Sequence, residues 1–208
     1  RTDGATPFRL VTHIGDVGHT LVAGPTGMGK SVLLATLAMQ FRRYRGSRIF
    51  AFDMGRSIRA AVLGMGGEHY DLGADDEIAF QPLARIDREG YRTWASEWVE
   101  GRLLHEGAAV GPDEKAAIWS ALGSLASAPV EQRTLTGLTA LLQSNTLRQA
   151  LAPYVLGGAH GRLLDADHDR LGTADVQAFE MEELMHSKAA VLAVLRYLFA
   201  RFEERLDG

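Results

Sequence analysis

The octet Gly24-Pro25-Thr26-Gly27-Met28-Gly29-Lys30-Ser31 fits the pattern GxxxxGK[ST], and few short patterns restrict a fold as much. Such a loop works where an apolar strand runs into a glycine-rich turn and a helix begins on its far side. Backbone N–H groups must wrap a polyphosphate, and the helix N-terminus must add positive potential to them. The flanks have that form. His19 to Ala23 reads as the feeding strand, and Leu34, Leu37, Ala38 and Phe41 recur at i, i+3, i+4 and i+7, the buried face of a helix that Arg45-Gly46 closes. The pattern predicts an α/β domain that binds a nucleoside triphosphate with Mg²⁺. Gly24, Pro25, Thr26, Gly27, Met28, Gly29, Lys30, Ser31 and Val32 would line the phosphates. Lys30 would stabilise charge on the transferring γ-phosphoryl, and Ser31 would ligate Mg²⁺.

Beyond the octet, Phe8 to His13 reads as a short strand ahead of the turn Gly15-Asp16-Val17-Gly18. Arg48 to Asp53 is a nearly continuous apolar run ending in a carboxylate, the signature of a buried parallel strand. Ser57 to Gly64 reads as a short helix and Glu68 to Leu72 as another strand. From Pro82 to about Leu151 the period turns helical: Tyr91 to His105, Pro112 to Ser127, Thr136 to Leu142 and Thr146 to Leu151. Val176 to Met181 returns to strand. Glu183 to Leu206 reads as a long helix covering the sheet with Val191, Leu192, Leu195, Leu198, Phe199 and Phe202. The expected organisation is a nucleotide-binding core made of residues 1–80 and 152–208, with a helical subdomain inserted at 81–151.

P-loop enzymes carry a second acidic group near the Mg²⁺ shell, and Asp53 is the only candidate for it here. Three roles stay open for Asp53: a direct or water-mediated Mg²⁺ contact, a supporting place near the phosphates, or a structural cap at a strand end. Asp165-Ala166-Asp167-His168-Asp169 starts like a calcium loop, but Arg170 stands where glycine is required and Val176 where glutamate is, so a solvated acidic loop is the better reading. The seven histidines form no i, i+4 pair and the chain has no cysteine, so a zinc site lacks support. Trp94, Trp98 and Trp119 read as core rather than as a platform for stacking bases. Glu180, Glu182 and Glu183 bracket the start of the last helix, where carboxylates favour its dipole.

A net charge of −4 with acids and bases interspersed offers no basic face for nucleic acid. The longest apolar run, Ala189 to Leu195, is far shorter than the roughly 20 residues that span a bilayer. Absence of cysteine fits a reducing compartment. Arg1 opens the chain without a signal-peptide pattern and Leu206-Asp207-Gly208 follows directly on the helical pattern, so both ends read as cuts through a longer protein.

With these residues in place, the chain resembles the conjugative type IV secretion ATPases of the VirB/TrbE/CagE class, TrbE-like proteins above all. The similarity runs from Pro7-Phe8-Arg9-Leu10 through Gly15-Asp16-Val17-Gly18-His19-Thr20 and the P-loop to Phe52-Asp53. It continues in Phe80 to Asp87, Gly157-Gly158, Gly161 to Asp165, Phe179 to Leu184 and Tyr197-Leu198-Phe199. Met28 stands at a variable loop position often filled by a small residue, and Gln81 where that class usually has Asn. The resemblance implies an incomplete RecA-like three-layer P-loop NTPase fold with an inserted helical subdomain, ending before the Walker B strand. It implies ATP and Mg²⁺ as cofactors and a hexamer working with other secretion components, in the bacterial cytoplasm at the inner membrane. ATP hydrolysis in the full-length protein would drive pilus assembly and substrate transfer, and the present stretch would be weakly active or inactive. On this reading Asp53 becomes a neighbour of the Mg²⁺ site rather than its principal ligand. Two other functions stay open on the residues: a P-loop kinase of a small acceptor using Asp53, and a non-catalytic interaction module with a vestigial P-loop.

Overall fold

The computed structural model describes residues 11–12, 15, 18–74 and 77–206. The chain divides into two compact units, residues 1–45 and 46–208.

In the first unit the glycine-rich turn leads into α1 (Lys30–Phe41). Of its apolar stripe Leu37 and Ala38 are half-buried, whereas Leu34 and Phe41 remain exposed. The strand expected at His19 to Ala23 does not form: Leu21 is 91% exposed and these residues join no ladder. An apolar run becomes a strand only by pairing its backbone N–H and C=O groups, and no described segment of this unit offers it an edge. The strand expected at Phe8 to His13 lies outside the described residues, apart from Val11 and Thr12, which carry no strand.

The second unit is built on a three-stranded parallel sheet of β1 (Ile49–Asp53), β2 (Glu68–Asp71) and β3 (Val176–Glu180), in the order β1-β3-β2. All of β3 is buried, as suits a central strand. Parallel neighbours require long crossovers. That from β1 to β2 is made by α2 (Arg59–Gly64), and that from β2 to β3 holds the helices α3 (Glu89–His105), α4 (Pro112–Leu125), α5 (Leu135–Leu141), α6 (Asn145–Leu151) and α7 (Gly161–Leu164).

Register separates the two faces of the sheet. Ile49, Ala51, Val176, Ala178 and His69 share one face, where small side chains admit α2 and its Val62. Phe50, Phe52, Phe179 and Tyr70 share the other, where the Phe50 ring stacks on Phe202 of α8 (Lys188–Leu206) at 4.0 Å and Tyr70 stacks on Phe179 at 5.2 Å. Each such ring, fully buried, contributes about 1.5–3 kcal/mol. The helices of the long crossover continue this core through Phe80, Leu83, Trp98, Ile118, Leu138 and Tyr154.

Local chemistry sets the helix starts. Pro112 opens α4 while the Glu114 carboxylate accepts from Gly111 N–H at 2.9 Å. Thr134 Oγ1 accepts from Gly137 N–H at 3.0 Å to cap α5, and Ser144 caps α6. The last helix differs from expectation in two ways. It is broken at Ser187, whose Oγ accepts from Ala190 N–H, with a 3₁₀ turn over Leu184–His186 ahead of it. Its buried face is also turned: Ala190, Ala193, Val194, Tyr197, Leu198, Arg201 and Phe202 are buried, whereas Leu192 and Phe199 are about half exposed. The cause is α3, which lies close over the two alanines. Its Trp98 Nε1–H donates to Ala193 C=O at 3.0 Å and its Arg102 guanidinium to Ala189 C=O at 3.3 Å. Trp98 is thus core, Trp94 is half-buried, and Trp119 is 40% exposed beneath the Arg92 guanidinium.

Candidate functional site

The phosphate loop owes its shape to two glycines. Gly27 and Gly29 have φ of +82° and +81°, in the left-handed region, with open space where a Cβ would stand. Backbone conformation, not crowding, therefore demands glycine at both, since another residue would be strained by about 1–2 kcal/mol. Gly29 is the N-cap of α1 and supplies no capping side chain, and the first turn carries no acid. The positive end of the helix is left uncompensated at the loop. Lys30, the first helical residue, folds its ammonium back to donate to Pro25 C=O at 2.7 Å. Ser31 and Val32 follow, both exposed. A left-handed turn, an uncapped helix N-terminus and a lysine held across the loop by one carbonyl suit a polyphosphate: the anion could take over the ammonium from Pro25. Lys30 and the glycines would hold such a group, and Ser31 would offer its hydroxyl to a cation bound with it.

In the second unit, every strand ends in a carboxylate at one register row: Asp53 opposite Glu180, and Asp71 opposite Glu180. Asp53 accepts from Ser57 Oγ–H at 2.7 Å and Ile58 N–H at 2.9 Å, so both oxygens cap the loop that follows its own strand. Glu180, only 2% exposed, accepts from Gly55, Arg56 and Glu182 N–H. Asp71 receives the Arg56 guanidinium through Nε and a terminal nitrogen, at 2.9 and 2.6 Å. Burial alone would raise the Asp71 pKa, but the hydrogen bonds and charge of Arg56 hold it below the usual carboxylate range. Glu182 and Glu183 stay exposed. The part played by Glu180 was not read from the sequence. The signal was present, because Tyr70-Asp71 and Phe179-Glu180 repeat the apolar-then-acid ending of Phe52-Asp53.

The acidic run at 165–169 does not converge. Asp165 accepts from Thr136 N–H, Thr136 Oγ1–H and Leu156 N–H; Asp167 pairs with exposed His168; Asp169 takes Tyr197 and Arg201. A cleft of about 750 Å³ beside this run, lined by Thr134, Arg162 and Arg170, is also lined by Asp165, whose oxygens are already committed. Among the described residues no three His, Asp or Glu side chains are grouped to hold a metal ion, and no helix is long and apolar enough to cross a membrane.

Together these features define a P-loop-bearing α/β protein whose parallel sheet is layered between helices. Comparison places that class more narrowly. The chain is 44% identical over 211 residues to a probable conjugal transfer protein TrbE of Sinorhizobium fredii, covering 99% of this chain and 32% of that protein. It is 43% identical over 213 residues to a conjugal transfer protein TrbE of Rhizobium radiobacter, covering 99% and 26%. With the type IV secretion system protein virB4 of Bartonella quintana it shares 28% over 214 residues, covering 100% and 27%. The solved structure of VirB4 of Thermoanaerobacter pseudethanolicus has the same fold, with a TM-score of 0.62 at 18% identity over 86% of this chain and 55% of that one. No protein-family model matches the chain. Along 99–100% of its length the chain is thus similar in sequence to TrbE and virB4 proteins named for conjugal transfer and type IV secretion. It spans about a third or less of the length of these relatives.

Proposed function

We propose that this chain is the ATP-binding part of a motor that powers conjugative type IV secretion. The observation that carries the reading is the conformation of the octet: left-handed Gly27 and Gly29, an uncapped helix start, and Lys30 held over the loop. Bound ATP would supply a γ-phosphoryl group with Mg²⁺ neutralising its charge. Gly24 to Val32 orient the phosphates, Lys30 places positive charge at the outer ones, and the Ser31 hydroxyl is the protein's ligand to Mg²⁺. Asp53 serves chiefly to cap the loop after β1, and a water-mediated link to Mg²⁺ is its secondary role. The kinase alternative, which needs a free carboxylate at Asp53, draws no support from an Asp53 whose two oxygens both accept hydrogen bonds.

The reading extends to the parent protein. Residues 1–80 and 152–208 form part of a RecA-like core, and 81–151 form a helical subdomain inserted into it. The outer edge of β1 pairs with no described strand, which leaves room for the further strands of such a core. The full-length protein would act as a hexamer, in the bacterial cytoplasm against the inner membrane and with other secretion components. There it would hydrolyse ATP during pilus assembly and substrate transfer, with this stretch alone turning over slowly if at all. Steady-state ATP hydrolysis by the full-length protein tests this: Lys30→Ala should lower turnover by about 100-fold or more. An unchanged rate would refute it.

A further inference from the structure

Every strand-end carboxylate of the sheet is tied to the one short loop that follows β1. Asp53 holds Ser57 and Ile58, Glu180 holds the amides of Gly55 and Arg56, and Asp71 holds the Arg56 side chain. Two of these anchors differ in kind from the third. Asp53 takes the Ser57 hydroxyl and the Ile58 amide and Glu180 takes two amides, whereas the third anchor is an ion pair that reaches towards solvent, with the Arg56 side chain 47% exposed and the Asp71 side chain 16% exposed. Arg56 is also the one non-glycine residue with positive φ among the described residues, at +55°.

These two facts oppose each other. A non-glycine residue in the left-handed region is disfavoured by about 5- to 30-fold in population. An ion pair whose arginine is about half exposed offsets about fivefold of that, and salt screens it. At Arg56 the backbone penalty and the ion pair are thus of similar size, and the Glu180 bond to its amide is the remaining hold on that residue. We propose that residues 54–58 form a latch across the C-terminal rim of the sheet, closed by the Arg56–Asp71 pair and opened when that pair is broken or screened. Opening releases a guanidinium and a carboxylate at the rim where open parallel α/β sheets take their ligands. The latch stands independently of the nucleotide reading.

Amide hydrogen exchange at Gly55 and Arg56, both donors to Glu180, reads the latch directly. Asp71→Asn should speed exchange at these two amides about fivefold or more, with Ala178 in the central strand unchanged. Raising NaCl to about 0.5 M should do the same in the unmodified chain and nothing further in Asp71→Asn. Adding Arg56→Gly to Asp71→Asn should return exchange towards the original rate, because glycine meets no penalty at this φ. Unaltered exchange in Asp71→Asn, or acceleration that extends equally to Ala178, would overturn the proposal. If Asp71→Asn fails to fold, the salt series on the unmodified chain decides: no acceleration at Gly55 and Arg56 rejects the latch.

Discussion

Asp169 shows how much a single half-buried carboxylate can carry. Its Oδ2 accepts from both the Tyr197 hydroxyl and the Arg201 guanidinium, with the Asp169 side chain 15% and the Arg201 side chain 8% exposed. Removing it leaves a buried cation with only the Glu204 carboxylate near it among the described residues, at 3.5 Å, so Asp169→Ala should cost about 3 kcal/mol of unfolding free energy, measured by urea denaturation. A loss below about 1 kcal/mol would mean that water reaches Arg201. His69 carries a pH prediction. Its Nε2 is buried without a partner beneath α2, and its pKa is lowered by burial and then by Arg59, against the pull of Asp71, Glu180 and Asp53. His160 is lowered too, first by burial. A folded pKa below the unfolded value means that the unfolded chain binds more protons, so stability is full above about pH 6.5 and declines as pH falls below it. His69→Leu should flatten that decline between about pH 6.5 and 5. An identical slope in thermal melts of the variant would show that other groups set it.

At the scale of elements, the contact of α3 with α8 separates two interactions that look alike. Trp98 donates to one α8 carbonyl and also fills the core, so Trp98→Phe should lose about 1 kcal/mol for the hydrogen bond alone. Arg102 is 3% exposed, has no carboxylate in hydrogen-bonding reach among the described residues, leaves its Nε unpartnered, and has its pKa lowered by burial. Replacing it by a side chain of similar length should be neutral or stabilising, so Arg102→Met should leave the unfolding midpoint unchanged or raise it. A marked fall would assign the guanidinium a net favourable role there. The same seam marks where sequence reading stopped. Helix starts were legible to within a residue or two, as at Pro112, because caps such as Pro112, Thr134 and Ser144 act on their own next few residues, and β1 was legible as an apolar run. The order β1-β3-β2 and the turned face of α8 depend instead on groups far apart in the chain, such as Asp169 with Arg201 and Trp98 with Ala193. The helical pattern of 183–206 read continuously because only the Ser187 cap, a local competitor for the backbone, interrupts it.

For the whole molecule, the octet was legible as a glycine-rich turn ahead of a helix: of the two glycines its pattern requires, Gly29 has left-handed φ and Gly24 does not, while Gly27, at a variable position, is left-handed too. The feeding strand was not, since a strand is a property of a pair, and His19 to Ala23 meet no described partner. Asp53 shows the same limit. Its place at a strand end followed from the run Arg48 to Asp53, but its choice among three roles depended on Ser57 and Ile58 coming within hydrogen-bonding distance. Relatives named for conjugal transfer and type IV secretion supply the setting, and the loop supplies the chemistry proposed within it. The central claim is that this loop grips a triphosphate through Lys30. Calorimetric titration of ATP into the full-length protein, with and without Mg²⁺, tests it most directly. The account predicts Mg²⁺-dependent binding that Lys30→Ala weakens by about tenfold or more, and equal affinity in the two proteins would contradict it.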